Sequence, residues 1–194
     1  MLRRSVRLPD SMSLDIIELA SHDNTWPEQF ARESAAIRAA LGPASEGIAI
    51  EHVGSTAVPG LASKPVIDIL IIPPNGSWPL AALVSAMPGL GYLYWAEDPD
   101  PQHMFFVKGM PPYGTGRTHH VHVYPAERAM PVIVFRDYLR SHPDTASEYE
   151  ALKKELAAQY PTDREAYTRG KDAFVARVVG YASTISRNAP QSQD

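Results

Sequence analysis

Residues 51–72 read EHVGSTAVPGLASKPVIDILII, and the fold follows from how they are divided. Gly54-Ser55 ends one strand. Prolines punctuate the connection. Asp68 stands where a second strand begins, after the intervening residues 56–67. Ile67, Ile69, Leu70, Ile71 and Ile72 form an apolar run too continuous for a half-exposed strand, so the second strand is expected to be buried on both faces. A carboxylate at the mouth of such a strand is costly unless a metal, a proton or hydrogen-bond donors compensate it.

The flanking sequence supplies the other elements. Leu14 to Leu19 is expected to form a first strand. Asn24-Thr25-Trp26-Pro27-Glu28 reads as a helix start, with Thr25 as cap, Pro27 in the first turn and Glu28 completing a capping box. Phe30, Ile37 and Leu41 follow at amphipathic spacing, and Gly42-Pro43 stops the helix. After residue 72, PPNGSWP is a loop and Leu80 to Met87 a short helix. Tyr92 to Trp95 is an aromatic strand, EDPDP an acidic turn, and His103 to Lys108 a further strand. Thr118 to Tyr124 is the last strand. Val132 to Arg140, Ala146 to Gln159 and Arg164 to Tyr181 read as three helices. Strands with intervening helices, then a run of helices, predict an α+β fold with a helical C-terminal part from about residue 131.

The chain has 194 residues, 44% of them hydrophobic, which suits one domain over 14–183. Residues 1–13 are expected to be a disordered leader without an apolar signal core, and 184–194 a disordered tail. Net charge is −4 and no basic run exceeds two residues, so no footprint for a nucleic-acid polymer is expected. There are no cysteines, which excludes disulfides and thiolate metal sites and fits a cytoplasmic protein. No apolar stretch approaches the roughly 20 residues of a membrane span.

Three features carry chemistry. Gly54-Ser55 is either an ordinary strand-end turn or a phosphate cradle, since glycine permits close approach and serine adds a hydroxyl. Asp68 is either a divalent-metal ligand or a hydrogen-bonded carboxylate, with Lys64 reaching phosphate or pairing with Asp68. In His119-His120-Val121-His122-Val123, strand period places His120 and His122 on one face. Two such imidazoles suit a metal, a general base or phosphate. Arg117, just before them in a glycine-rich loop, suits a phosphate or carboxylate, or is a solvated loop arginine. Glu51 and His52 lie beside Gly54 with no spacing that compels a role. Arg136-Asp137 reads as a helix-surface pair. Trp26, Phe30 and Tyr138 read as core or interface. Lys171 can reach a cleft, though nothing local says so.

Together these segments resemble the GrpB family. The matching pieces are Trp26-Pro27 with Phe30, EHVGSTAVPGLASKPVIDIL, HHVHVYP, FRDYLRSHPDTASEYEALKKELA and DREAYTRGKDAFV, covering about residues 14–180. The resemblance implies a nucleotidyltransferase-like mixed sheet with packed helices. That superfamily's signature is a GS motif, two carboxylates alternating on a strand, and a third carboxylate on a later strand. Gly54-Ser55 and Asp68 match its first two elements. Leu70 takes the second carboxylate's place, and His120 or His122 stands on the third strand. The implied activity is transfer of a nucleotidyl group from a nucleoside triphosphate to a small acceptor. Gly54, Ser55, Lys64 and Arg117 would hold the nucleotide. Asp68, His120 and His122 would hold a divalent metal: Mg²⁺ or Mn²⁺, or Zn²⁺ or Fe²⁺ if the histidines are ligands. The alternative is a nucleotide- or small-ligand-binding protein that has lost catalysis, and a third is a two-histidine-one-carboxylate metal site for other chemistry.

Overall fold

The apolar run at 67–72 is strand β2 (Ile67–Ile72), second in a five-stranded sheet, in a computed structural model that describes residues 16–74, 80–97 and 100–188. The other strands are β1 (Ala49–Val53), β3 (Tyr92–Tyr94), β4 (Met104–Lys108) and β5 (His119–Val123), in spatial order β1-β2-β5-β4-β3. The β2–β5 pair is parallel and the others antiparallel. Its register sets Asp68 beside His120 and Leu70 beside His122.

Period-2 alternation gives the sheet two unlike faces. On one, Ile67, Ile69, Ile71, Val121 and Val123 form the main core with Ile37 and Leu41 of helix α1 (Trp26–Leu41) and Leu83 of α2 (Leu80–Ala86). Trp26 closes this core at 2% exposure, and Phe30 packs at its edge. On the other face, Val53 and Leu70 pack against Ala129 of helix α3 (Ala126–Ser141). Asp68, His120, His122 and Phe105 share this second face. Helices α4 (Pro143–Gln159), α5 (Arg164–Arg169) and α6 (Asp172–Asn188) complete the helical part.

Several expectations need correction. Residues 16–19 form no strand; Leu14 and Asp15 lie outside the described residues. The segment instead bridges two distant regions, with the Ile17 amide donating to Pro161 O and Ala20 pairing with Ser63. Thr25 builds no capping box: its hydroxyl accepts from Gln29 Nε2, while its own amide donates to Asp23 Oδ1. Helix α3 starts at Ala126, not Val132, and carries Pro131 internally. Proline removes one helical donor there, and burial of Ala129 against Leu70 favours keeping the turn. The last expected helix is two, broken at Gly170-Lys171. Gly170 passes so close to Leu156 of α4 that any Cβ would overlap that side chain. Tyr138 is half-buried and stacks on His142, ring centroids 3.7 Å apart. Parts of two expected turns, residues 75–79 and 98–99, lie outside the described residues.

Candidate functional site

Strand β1 ends opposite Asp68, because Val53 and Asp68 are register partners. Gly54 then turns with φ +71°, in the region that favours glycine. A Cβ at Gly54 would also overlap the Asp68 carboxylate. Only glycine lets the chain pass over this acid, and that links the GS dipeptide to Asp68 physically. Ser55 opens a short 3₁₀ turn, residues 55–57, and its hydroxyl faces the buried Tyr149 phenol of α4.

Asp68 Oδ1 lies 3.0 Å from His120 Nδ1. Burial alone would raise the Asp68 carboxyl. The hydrogen bond from His120 and the nearby charges of His120, His122 and Lys64 outweigh it and bring the carboxyl down to about 2. Burial pushes the His120 imidazole below its usual value, against the pull of Asp68. At neutral pH the pair is therefore a carboxylate accepting from a neutral imidazole. His120 Nε2 is buried and has no hydrogen-bond partner. His122 Nδ1 lies 3.0 Å from His103 Nε2, and the two rings stack. Asp68, His120 and His122 each offer one ligand atom, all within 4.8 Å of one another.

These groups open onto a cavity of about 730 Å³ between the sheet and the helical part. Six cations line it: Lys64, Arg117, Lys153, Arg164, Arg169 and Lys171. Asp68 and Glu165 are the acids in its wall. Trp95 and Phe105 form an aromatic side, and Tyr167 lies beneath the Lys64 and Lys171 ammonium groups, 5.3 and 4.5 Å from its ring centre. The excess of positive charge suits a ligand bearing phosphates or several carboxylates.

Lys153 is the most buried of these cations, at 2% exposure. Its Nζ donates to Ala62 O and sits 5.1 Å from the Tyr149 ring centre. No carboxylate pairs with it among the described residues, and burial pushes its amine down to about 7.

The sequence-derived candidates Ser55, Lys64, Asp68, Arg117, His120 and His122 all line this one cavity, and Gly54 lies against Asp68. Lys171, weighed without a local reason, lines it too. His103, Lys153, Arg164 and Tyr167 were not singled out by sequence reasoning. Nothing local distinguishes them: the pairing of β4 with β5 brings in His103, and helices far along the chain bring in the other three. Arg136 corrects the surface-pair expectation. It is buried at 8% exposure and donates to Glu51, Asp137 and His52 O at 2.8–2.9 Å. One turn later, Arg140 donates to Ala57 O at 2.8 Å. These two arginines bracket the Gly54-Ser55 turn from α3. His52 faces the other side of the sheet, stacked on Phe30 and bonded to Thr56, and burial brings its imidazole down to about 4.

Comparison with known proteins agrees with this architecture. A UPF0157 protein of Pseudomonas aeruginosa is 58% identical over 90% of this chain and 71% of its own length. Protein YqkA of Bacillus subtilis is 39% identical over 82% of the chain, which spans under half of that relative (45%). The crystal structure of GrpB from Enterococcus faecalis superposes with a TM-score of 0.76 and 32% identity, covering 88% of this chain and all of that one. The GLD-2/RNP-8 complex matches in fold alone, with a TM-score of 0.54 and 12% identity over 88% of this chain and 62% of that one. The fold is thus α+β with a mixed sheet, shared with nucleotidyltransferase-fold proteins. The family profile described as GrpB protein matches residues 16–180. That match spans the glycine turn, the Asp68 strand, the histidine strand and the helices that close the cavity, so the chain belongs to the GrpB family.

Proposed function

We propose that this protein binds a nucleoside triphosphate in the cavity and transfers its nucleotidyl group to a small acceptor. The observation that carries this reading is the meeting of six cations, an ionised Asp68 and a glycine-tight Ser55 turn around one space. Lys64, Lys153, Lys171, Arg117 and Arg164 neutralise the phosphates. The acceptor oxygen bonds to the α-phosphorus as the bond to the pyrophosphate oxygen breaks. His120 or His122 takes the acceptor's proton when no ion is held there; when they ligate an ion, that proton leaves to water in the open cavity. The fold similarity supports this too. One neighbour, the poly(U) polymerase Cid1, was solved with Mg 3′-dATP bound (TM-score 0.52, 12% identity, covering 78% of this chain and 49% of that one).

Phosphoryl-transfer sites of this fold place two Mg²⁺ ions on carboxylate oxygens. Here Leu70 fills the second carboxylate's position and is fully buried. The residues present do not fit that pair of ions, so charge neutralisation falls to the lysines and arginines and to whatever single divalent ion Asp68 and the histidines hold. The same leucine favours a second reading, a protein that binds the nucleotide and does not turn it over.

Thermal-shift titration with ATP, CTP, GTP and UTP, each with Mg²⁺, Mn²⁺ or EDTA, separates the two when combined with a pyrophosphate-release assay. A nucleotide at about 100 times its dissociation constant stabilises by roughly 2.7 kcal/mol. Transfer predicts a metal-dependent shift, lost in Asp68→Ala, with pyrophosphate released when the acceptor is supplied. A shift that persists in EDTA without pyrophosphate supports the binding protein. No shift with any nucleotide overturns both.

A further inference from the structure

The fold leads one to expect magnesium, and the side chains on the cavity face disagree. We infer that Asp68, His120 and His122 form a site for a single transition-metal ion of the zinc, manganese or iron(II) class, with His103 as the residue that orients His122. This deepens the metal part of the reading above and stands whether or not a nucleotide binds.

Magnesium is a hard ion that takes near-octahedral oxygen donors, whereas imidazole suits zinc, manganese and iron. Among the described residues the cluster offers one carboxylate and two imidazoles. The place where a second carboxylate would stand holds Leu70, at 0% exposure beneath Ala129. Beside His122 on the other flank, the register partner is Phe105. Neither neighbour supplies an oxygen, so no second ion site adjoins the first on these strands.

The geometry is already assembled. The three ligand atoms lie within 4.8 Å of one another, and a small inward movement brings them to the separations found around one ion with bonds of about 2.0–2.2 Å. His120 Nδ1 faces Asp68 Oδ1 at 3.0 Å, a ligand-to-ligand separation at which an ion can take the place of the shared proton. Three protein ligands at the wall of an open cavity also leave further coordination positions for water or ligand, as in catalytic rather than structural sites.

His103 supplies the outer contact. Its Nε2 lies 3.0 Å from His122 Nδ1, and its ring stacks on Tyr124 with centroids 4.4 Å apart. A hydrogen bond at one ring nitrogen of a metal-binding histidine fixes the ring's orientation and tautomer. His103 thereby sets His122 with Nε2 as its metal-facing atom.

The test is metal binding by the full chain, stripped with EDTA and measured without nucleotide. Co²⁺ is followed by its visible absorption, Zn²⁺ by calorimetry, and Mg²⁺ serves as comparator. The expected result is one Co²⁺ per chain, displaced by Zn²⁺ and untouched by millimolar Mg²⁺. His120→Gln and His122→Gln are expected to abolish the Co²⁺ absorption while circular dichroism stays unchanged. His103→Ala is expected to keep the stoichiometry and weaken affinity by roughly 10–100-fold, with His103→Gln recovering part of it. Two ions per chain, Mg²⁺ binding as tightly as Zn²⁺, or Co²⁺ absorption surviving in both His→Gln variants overturns the site. Unchanged affinity in His103→Ala overturns the orienting role. The nucleotide reading fails separately, by absence of a nucleotide shift in protein that binds metal normally.

Discussion

The sheet face beneath α1 and α2 and the face turned toward α3 and the cavity are built from the same strands, residue by alternate residue. In β2, Ile67, Ile69 and Ile71 go one way, Asp68 and Leu70 the other. In β5, Val121 and Val123 oppose His120 and His122. The first face is sealed by helix packing and carries a Glu33–Lys108 pair at 2.8 Å. The second is sealed only where α3 covers Leu70; beyond that it opens into a cationic cavity. The difference teaches that one strand can carry stability and chemistry together, because period-2 alternation separates them by a single residue.

Crossing the two chemistries breaks the comparison most severely. Leu70→Asp places an unpaired carboxylate under Ala129, and chemical denaturation is expected to show a loss on the order of 5 kcal/mol. A stable Leu70→Asp variant that gains Mg²⁺ binding would show instead that this position belongs to the site and not to the packing.

Ile69→Ala works on the sealed face alone. It is expected to cost roughly 2–5 kcal/mol through lost burial and the cavity left behind, with ligand affinity of the remaining folded protein unchanged. Weakened binding in that variant would mean the two faces are not independent.

Arg136→Ala probes the join between them. It leaves His52 O without its donor and Glu51 without its partner, and is expected to cost roughly 1–3 kcal/mol. It should also weaken nucleotide binding at the Gly54-Ser55 turn, which Arg136 and Arg140 bracket; Arg136→Lys should recover stability better than affinity.

The smallest effect sharpens the contrast through pH. The Lys153 amine releases its proton near pH 7 when folded and at its ordinary 10.5 when unfolded. Between those values the unfolded chain binds the extra proton, so stability rises with pH across the window. Below pH 7 the buried amine is charged and its cost is fully present. Denaturation of wild type and Lys153→Met between pH 7 and 9 should show a positive slope in the first that flattens in the second. Affinity for inorganic triphosphate should fall through the same range only in the wild type.

What was legible in the sequence is what depends on short-range period and spacing. The apolar run of 67–72 announced a strand buried on both faces. Alternation in 119–123 put His120 and His122 together. The resemblance put Gly54-Ser55 ahead of Asp68 in the right order and spacing, but that the two meet follows from the pairing of β1 with β2. The Phe30, Ile37 and Leu41 stripe set α1 against the core.

Tertiary structure alone decided the rest. His103 reaches His122 because β4 lies beside β5; Lys153 lines the cavity because α4 packs back on the Ala62 loop, 91 residues earlier. Arg136 looked like a surface residue because its partners Glu51 and His52 lie 85 and 84 residues away. Helix α3 runs through Pro131 with Ala129 packed on Leu70, and Gly170 passes Leu156 too closely for any side chain. Alternation and turn geometry are local properties that a sequence carries by itself. Burial of a charge and convergence of side chains depend on which distant surface comes to lie against them, and that is settled only when the helices close on the sheet.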